Sequence, residues 1–190
     1  MFIGLYFGSF NPIHHGHLII ASYIADNTSI DQVWLIVSPQ NPFKVSHTLL
    51  NEYQRLHLVR AAIEGEPKLR ALDIEFHLPK PSYTIDTLAY LEEKYPQHQF
   101  AVIMGSDSYQ NLPKWKNAKV LMQRYPIFVY IRAGFEVAET QHPNLTVLDA
   151  PLLQISATRI REMVKQGRSI RYLVPDIVKD EIDKNGYYKN

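Results

Sequence analysis

The chain has 190 residues, of which 46% are hydrophobic and 21% charged, an ordinary globular mixture that fits one domain over residues 1–190. Twenty basic residues balance 19 acidic ones, so the net charge creates no global field that would attract nucleic acid or an anionic membrane surface. The sequence has no cysteine, which excludes disulfides, thiolate catalysis and cysteine-based zinc sites.

The N-terminus shows no charged leader or cleavage site, and no apolar run approaches the roughly 20 residues needed to span a bilayer. These features predict a cytoplasmic protein without a membrane or nucleic-acid partner. The sequence does not fix the oligomeric state, and a homo-oligomer stays open.

Apolar strands and helical patterns alternate along the chain. Short apolar or alternating runs typical of strands fall at residues 2–7, 32–38, 69–77, 99–104, 127–131 and 145–148. Helices are expected at about 15–25, 51–63, 83–95, 157–166 and 175–184, and residues 180–190 as a solvated helix end and tail. This alternation predicts an α/β fold with a doubly wound, mostly parallel sheet, in which ligands bind beyond the carboxyl ends of the strands.

The first chemical motif follows the first strand, as the turn GSFNP at residues 8–12 and the string HHGH at residues 14–17. A helix start offers unpaired N–H groups and a partial positive charge, which suit phosphate. His14 and His17 are three residues apart and share one face of the first turn. Gly8 lets backbone approach a ligand closely, and Gly16 leaves room for a bulky anion. A zinc site is the alternative, but it needs a third ligand.

A second motif, ISATRIR, occupies residues 155–161. Ser156 is a good N-cap, and Gly167 is well placed to end the helix that follows. Arg159 and Arg161 stand in or near the first turn, where the helix dipole disfavours cations unless an anion is bound. The pattern therefore predicts a second anion site.

Further candidates lie between these two motifs. Asp107 follows the strand 99–104, where a carboxylate accepts hydrogen bonds from ribose hydroxyls. Trp115 is able to stack on a heteroaromatic ring. The loop 39–50 carries Lys44 in a proline-stiffened segment. Additional phosphate contacts by Arg55 and Arg132 are conceivable, but the sequence does not rank them.

Four motifs resemble those of a known enzyme family, in the family order. Residues 14–17 are similar to the (H/T)xGH signature of the nucleotidyltransferase superfamily, and residues 155–161 resemble its ISxTxxR signature. Residues 82–88 (SYTIDTL) and 105–115 (GSD…LPKW) are similar to segments of nicotinate mononucleotide adenylyltransferases. The resemblance runs from residue 8 to residue 161 and implies a Rossmann-like nucleotidyltransferase fold.

The resemblance also implies roles for individual residues. It implies catalytic roles for His14, His17 and Arg161. It implies ATP binding by Gly8, Ser9, Phe10, Gly105, Asp107, Ile155, Ser156 and Thr158, and acceptor binding by Asn11, Lys44, Ser82, Tyr83, Thr84 and Trp115. No protein side chain is assigned as a metal ligand, because the implied Mg²⁺ is held mainly through the ATP phosphates. Arg159 occupies a variable position and receives no role.

The implied reaction is AMP transfer from ATP to nicotinate mononucleotide. The acceptor phosphate is already ionised near neutral pH, since its second pKa is about 6, so the reaction requires no protein nucleophile. The alternatives are a nicotinamide mononucleotide adenylyltransferase, a pantetheine-phosphate adenylyltransferase and a nucleotide sensor without turnover. The intact His14, His17 and Arg161 argue against the sensor, and the SYTIDTL segment favours the pyridine acceptors.

Overall fold

A computed structural model describes residues 1–39, 49–137, 142–151 and 154–189. Within these ranges the strands are β1 (Phe2–Gly8), β2 (Gln32–Val37), β3 (Leu69–Leu72), β4 (Gln99–Gly105), β5 (Ile127–Tyr130) and β6 (Leu145–Leu148). The helices are α1 (His15–Asn27), α2 (Glu52–Ala62), α3 (Thr84–Lys94), α4 (Ser106–Asn111), α5 (Ala118–Arg124), α6 (Ala157–Lys165) and α7 (Asp176–Asn185), with 3-10 helices at Ile74–His77 and Leu112–Lys114.

The strands form one sheet in the order β3-β2-β1-β4-β5-β6, and each neighbouring pair is parallel. The predicted doubly wound parallel sheet is confirmed. The strand order reverses between β1 and β4, which makes the carboxyl ends of these two strands the expected place for a ligand.

Both faces of the sheet are buried, as the apolar strands predict. Successive side chains of a strand point to opposite faces, and β1 follows this rule. Ile3 and Leu5 belong to the core that includes Leu88 of α3, whereas Tyr6 packs with Ile24 of α1 on the opposite face. Helices therefore pack on both faces of β1 and β4, next to the edge of the sheet where these two strands end.

The prediction of a strand over 69–77 is wrong for its second half. β3 ends at Leu72, which pairs with the penultimate residue of β2, and residues 74–77 form a 3-10 helix. This turn buries both Ile74 and Glu75. Helices α4 and α5 were not predicted, because runs of six and seven residues are too short to establish a helical period.

The C-terminal run is not the solvated tail that its charged residues suggest. Val178 and Ile182 of α7 are fully buried in the core. Gly186 ends the helix with a φ of +67°, a left-handed conformation that turns the chain back toward the molecule. As a result Tyr188 is buried. No helix in the described ranges is long and apolar enough to cross a membrane.

Candidate active site

A cavity of about 370 Å³ opens at the carboxyl ends of β1 and β4, where the strand order reverses. Every predicted site residue in the described part of the chain lines it: Gly8, Ser9, Phe10, Asn11, His14, His17, Ser82, Tyr83, Thr84, Gly105, Asp107, Trp115, Ile155, Ser156, Thr158 and Arg161. Lys44 lies outside the described residues. The fold therefore brings the four sequence motifs to one place.

The two histidines of the first motif stack on each other. His14 is the N-cap of α1 and His17 is the third residue of the helix, and their ring centroids lie 3.7 Å apart with an angle of 24° between the planes. The backbone N–H of His14 donates to Nδ1 of His17 at 3.3 Å. Because Nδ1 accepts, a neutral His17 ring carries its proton on Nε2.

His14 is held neutral. Its side chain is buried, and its Nδ1 has no hydrogen-bond partner among the described residues. Burial, assisted by the positive charge of Arg132, lowers the pKa of His14 to about 4. A buried neutral imidazole with an unsatisfied nitrogen is suited to a hydrogen bond with a ligand that enters the cavity.

The two glycines of the first motif serve ring packing. A Cβ on Gly8 would lie 2.9 Å from the nearest atom of the Phe10 ring, and one on Gly16 would lie 3.0 Å from the His14 ring. The Phe10 ring in turn packs edge-on against His17, with centroids 5.0 Å apart. The two glycines therefore leave the space that the Phe10 and His14 rings occupy. The sequence had suggested that Gly16 leaves this space for an anion.

The second motif meets the first through an arginine. Ser156 caps α6, since its hydroxyl oxygen accepts from the Arg159 N–H at 3.2 Å, as predicted. Arg161 donates from Nη1 to the carbonyl oxygen of Asn11 at 2.8 Å and from Nη2 to the hydroxyl of Thr158 at 3.3 Å. Arg159 is exposed and does not line the cavity. The charge of Arg161 therefore lies where the two helix starts converge.

Asp107 is paired with Arg132. Nη1 of Arg132 donates to Oδ2 of Asp107 at 2.8 Å, and both residues line the cavity. A Cβ on Gly105 would come within 2.5 Å of the Asp107 carboxylate, so glycine leaves the space in which this pair forms.

Two tyrosines pair in the wall of the cavity, where the hydroxyls of Tyr6 and Tyr130 share a hydrogen bond of 3.0 Å. Burial raises the pKa of both tyrosines, which therefore act as neutral hydroxyls.

Arg55 is not a phosphate contact. Its side chain is completely buried and does not line the cavity. It donates to four backbone carbonyl oxygens, those of Ser9 at 2.6 Å, Ser38 at 2.7 Å, Pro39 at 2.9 Å and Leu50 at 2.9 Å. Arg55 thus ties the first motif to both ends of the loop that carries Lys44.

The start of α3 forms another wall of the cavity. Glu75, which sequence reasoning missed, accepts from the hydroxyls of Ser82 at 2.9 Å and Thr87 at 3.0 Å. Burial raises the pKa of Glu75, while these hydrogen bonds oppose the shift. The position of Glu75 between the apolar residues Ile74 and Phe76 was the available signal. Its contacts fix the start of α3, where Tyr83 and Thr84 line the cavity together with the partly buried Trp115.

Comparison with known proteins agrees with this geometry. Residues 5–163 match the cytidylyltransferase-like family. A relative from Cytophaga hutchinsonii, named "Probable nicotinate-nucleotide adenylyltransferase", is 52% identical over the full length of both chains, and one of the same name from Flavobacterium psychrophilum is 48% identical over the full length. The chain belongs to the nicotinate-nucleotide adenylyltransferase family.

A solved structure supports the fold of this family member. The nicotinic acid mononucleotide adenylyltransferase of Plasmodium falciparum, crystallised with NaAD, superposes with a TM-score of 0.85 at 22% identity. The match covers 99% of this chain and 97% of the other. At that identity the likeness concerns the architecture alone.

The neutral state of His14 predicts how acid affects this adenylyltransferase. Between pH 6.5 and about 4 the unfolded chain protonates this histidine and the native protein does not, so stability falls as the pH drops through that window. We expect the free energy of unfolding of His14→Gln to fall less steeply over the same range. Urea unfolding at several pH values measures both slopes. Parallel curves for the two proteins would contradict a neutral, buried His14.

Proposed function

We propose that this chain transfers AMP from ATP to nicotinate mononucleotide, which yields nicotinate adenine dinucleotide and pyrophosphate in NAD biosynthesis. The observation that carries the proposal is that the starts of α1 and α6 converge on one cavity. His17 lies on α1, and Arg161 of α6 donates to the Asn11 carbonyl oxygen of the first motif. The start of α3 also lines the cavity, and we assign this side to a second, pyridine-containing nucleotide. In this proposal one domain carries the entire reaction, in the cytoplasm.

The chemistry we propose is an in-line displacement. An oxygen of the acceptor's 5′-phosphate attacks the α-phosphorus of ATP, and the bond from that phosphorus to the bridging oxygen breaks as pyrophosphate leaves. His17 donates from Nε2 to the α/β phosphates, His14 contacts the outer phosphates, and Arg161 contacts the β/γ end. Catalysis then rests on positioning and on stabilisation of charge, with no protein base.

The adenosine part of ATP is assigned to the opposite side of the cavity. Gly105 and Asp107 stand at the end of β4, and we propose that the Asp107 carboxylate accepts from the ribose hydroxyls. Its pairing with Arg132 fixes the orientation of the carboxylate before ATP binds. The N–H groups at residues 8–10 and 155–158 are assigned to the phosphates, because helix starts and turns present such donors.

Nucleotidyltransferases of this family generally use a divalent metal ion with ATP. We take the ion to be Mg²⁺, which would neutralise charge on the triphosphate. The described residues contain no group of three His, Cys, Asp or Glu side chains able to hold a metal, and Asp107 is already paired with Arg132. Such a donor set fits an ion that is bound through phosphate oxygens and water.

The choice of acceptor depends on the start of α3. The carbonyl oxygen of Tyr83 accepts from the N–H groups of Asp86 and Thr87, whereas the Thr84 N–H has no partner among the described residues. A pyridine carboxylate would accept from this donor in a charge-assisted hydrogen bond. The NH₂ of a carboxamide would face the same donor and leave it unpaired, at a cost of about 1–3 kcal/mol.

We expect nicotinate mononucleotide to be preferred over the amide by about 5- to 150-fold in kcat/KM, since each 1.4 kcal/mol corresponds to about tenfold. Trp115 stacks on either ring, so Trp115→Ala should raise KM for both acceptors and leave their ratio nearly unchanged. The measurement is pyrophosphate release at saturating Mg-ATP with each acceptor. Equal efficiencies, or a preference for the amide, would favour the nicotinamide alternative. Activity with pantetheine phosphate alone would reject both pyridine acceptors.

A further inference from the structure

The C-terminal segment returns to the first motif and contacts it at the cavity. The hydroxyl of Tyr188 donates to Oδ1 of Asn11 at 2.8 Å, across 177 residues of sequence. Both side chains are buried, with Asn11 5% exposed and Tyr188 9% exposed. A buried hydrogen bond between neutral groups at this distance fixes the orientation of both partners.

Asn11 is the point at which several parts of the site meet. Its side-chain oxygen also accepts from the Leu50 N–H at 3.2 Å, at the end of the loop that carries Lys44. Its backbone carbonyl oxygen accepts from Nη1 of Arg161 at 2.8 Å. A shift of Asn11 would therefore displace the carbonyl oxygen through which Arg161 joins the two motifs. Tyr188 lies beside this guanidinium, whose charge opposes the rise in the pKa of the Tyr188 phenol that burial causes.

A second contact from the same segment reaches the other side of the motif. The N–H of His15, a first-turn donor of α1, donates to the carbonyl oxygen of Leu173 at 3.0 Å. Ile13, between these two contacts, packs in one cluster with Val178 and Ile182 of α7. The segment from residue 173 to 188 thus braces the motif on both sides of His14. It lies beyond residue 163, where the match to the cytidylyltransferase-like family ends.

We propose that Tyr188 is a positioning residue for nucleotidyl transfer. Its hydroxyl holds Asn11, and through Asn11 it holds Arg161, in the arrangement that receives the ATP phosphates. The proposal rests on the proposed function, because it assigns Arg161 to those phosphates. Tyr188 does not line the cavity, so it acts without touching a substrate.

Tyr188→Phe tests the hydroxyl alone, because the ring and its packing remain. We expect kcat/KM for ATP to fall about fivefold to thirtyfold, the scale of one lost buried hydrogen bond, with the larger part in KM for ATP. KM for the acceptor, for which Asn11 is a predicted contact, should rise by a smaller factor than KM for ATP. Tyr187→Phe is the matched control, since the described residues show no hydrogen bond of the Tyr187 hydroxyl; its kinetics should equal those of the wild type.

A double-mutant cycle with Asn11→Ala separates positioning from a general structural role. If Tyr188 acts through Asn11, Tyr188→Phe should cause less than about a twofold further loss in the Asn11→Ala background. Losses that simply multiply, or a Tyr188→Phe enzyme with wild-type kcat/KM for ATP, would overturn the proposal.

Calorimetric titration of each protein with Mg-ATP supplies a readout that needs no turnover. Weaker binding of ATP to Tyr188→Phe, but not to Tyr187→Phe, is expected at a temperature where thermal unfolding curves show all proteins folded. Equal ATP affinities for the wild type and Tyr188→Phe would reject the positioning role. A wild-type protein that binds ATP but transfers AMP to no acceptor would reject the proposed function instead. In that case the difference in ATP affinity between the wild type and Tyr188→Phe would still test the role of Tyr188.

Discussion

Replacing His17 by alanine is expected to lower kcat at least about a hundredfold, the usual scale for the loss of a preorganised donor that stabilises developing charge. The structure gives the physical reason. Nδ1 of His17 accepts from the His14 backbone, so a neutral ring carries its donor proton on Nε2, and His17 lines the cavity. Packing against Phe10 and stacking on His14 fix the ring plane, so the donor is in place before ATP binds.

The fold of His17→Ala should survive, because alanine has the highest helix propensity and His17 lies on a half-buried face of α1. His15→Ala is the matched control: the same side-chain truncation in the same helical turn, at a residue that does not line the cavity. Steady-state kinetics with circular dichroism for both variants would decide the matter. A folded His17→Ala enzyme with near-normal kcat would remove this histidine from the mechanism.

Arg161→Ala is expected to reduce kcat/KM for ATP by about a hundredfold, since charge-assisted hydrogen bonds to phosphate are the strong ones. The effect on the acceptor should be smaller, because Arg161 lies between Asn11 and Thr158, at the junction of the two motifs that we propose to bind the ATP phosphates. Arg161→Lys should restore only part of the loss. Lysine keeps the charge but has no fork with which to hold the Asn11 carbonyl and a phosphate oxygen together.

Arg159→Ala is the control for this series. Arg159 carries the same charge two residues away, but its side chain is exposed and it does not line the cavity. Initial rates over a matrix of ATP and acceptor concentrations separate the two KM values. If Arg161→Ala left both kcat and KM for ATP at their wild-type values, the assignment of Arg161 to the phosphates would be wrong.

The sequence predicted those parts of the fold and site that local patterns encode. Buried parallel strands are continuous apolar runs, so β1 and β4 could be placed to within a residue or two. The Ser156 cap and the Gly167 stop follow from local backbone chemistry and are confirmed. The convergence of the motifs followed from the rule that parallel strands end at one edge of the sheet.

Contacts between distant residues could not be predicted in this way. Arg55 could not be ranked as a phosphate contact from the sequence, because nothing local reveals that carbonyl oxygens of four residues surround it in the fold. Tyr188 stands in a run of polar and charged residues, and only the turn at Gly186 brings its ring into the core. The 3-10 helix that buries Glu75 replaced a predicted strand, and the hydroxyls that satisfy its carboxylate belong to Ser82 and Thr87, which the local alternation does not reveal.

The bonds of Arg55 extend its influence beyond its own position. Its Nη1 lies 2.6 Å from the carbonyl oxygen of Ser9, and that oxygen shares a peptide group with the N–H of Phe10. A cationic donor hydrogen-bonded to the carbonyl oxygen of a peptide group polarises that group, so its N–H becomes a stronger hydrogen-bond donor. The guanidinium is completely buried, so mobile ions screen it much less than they screen a surface lysine. The protein therefore carries positive potential into the turn at residues 8–12 through the polarised peptide, without exposing a further charged side chain to water and salt.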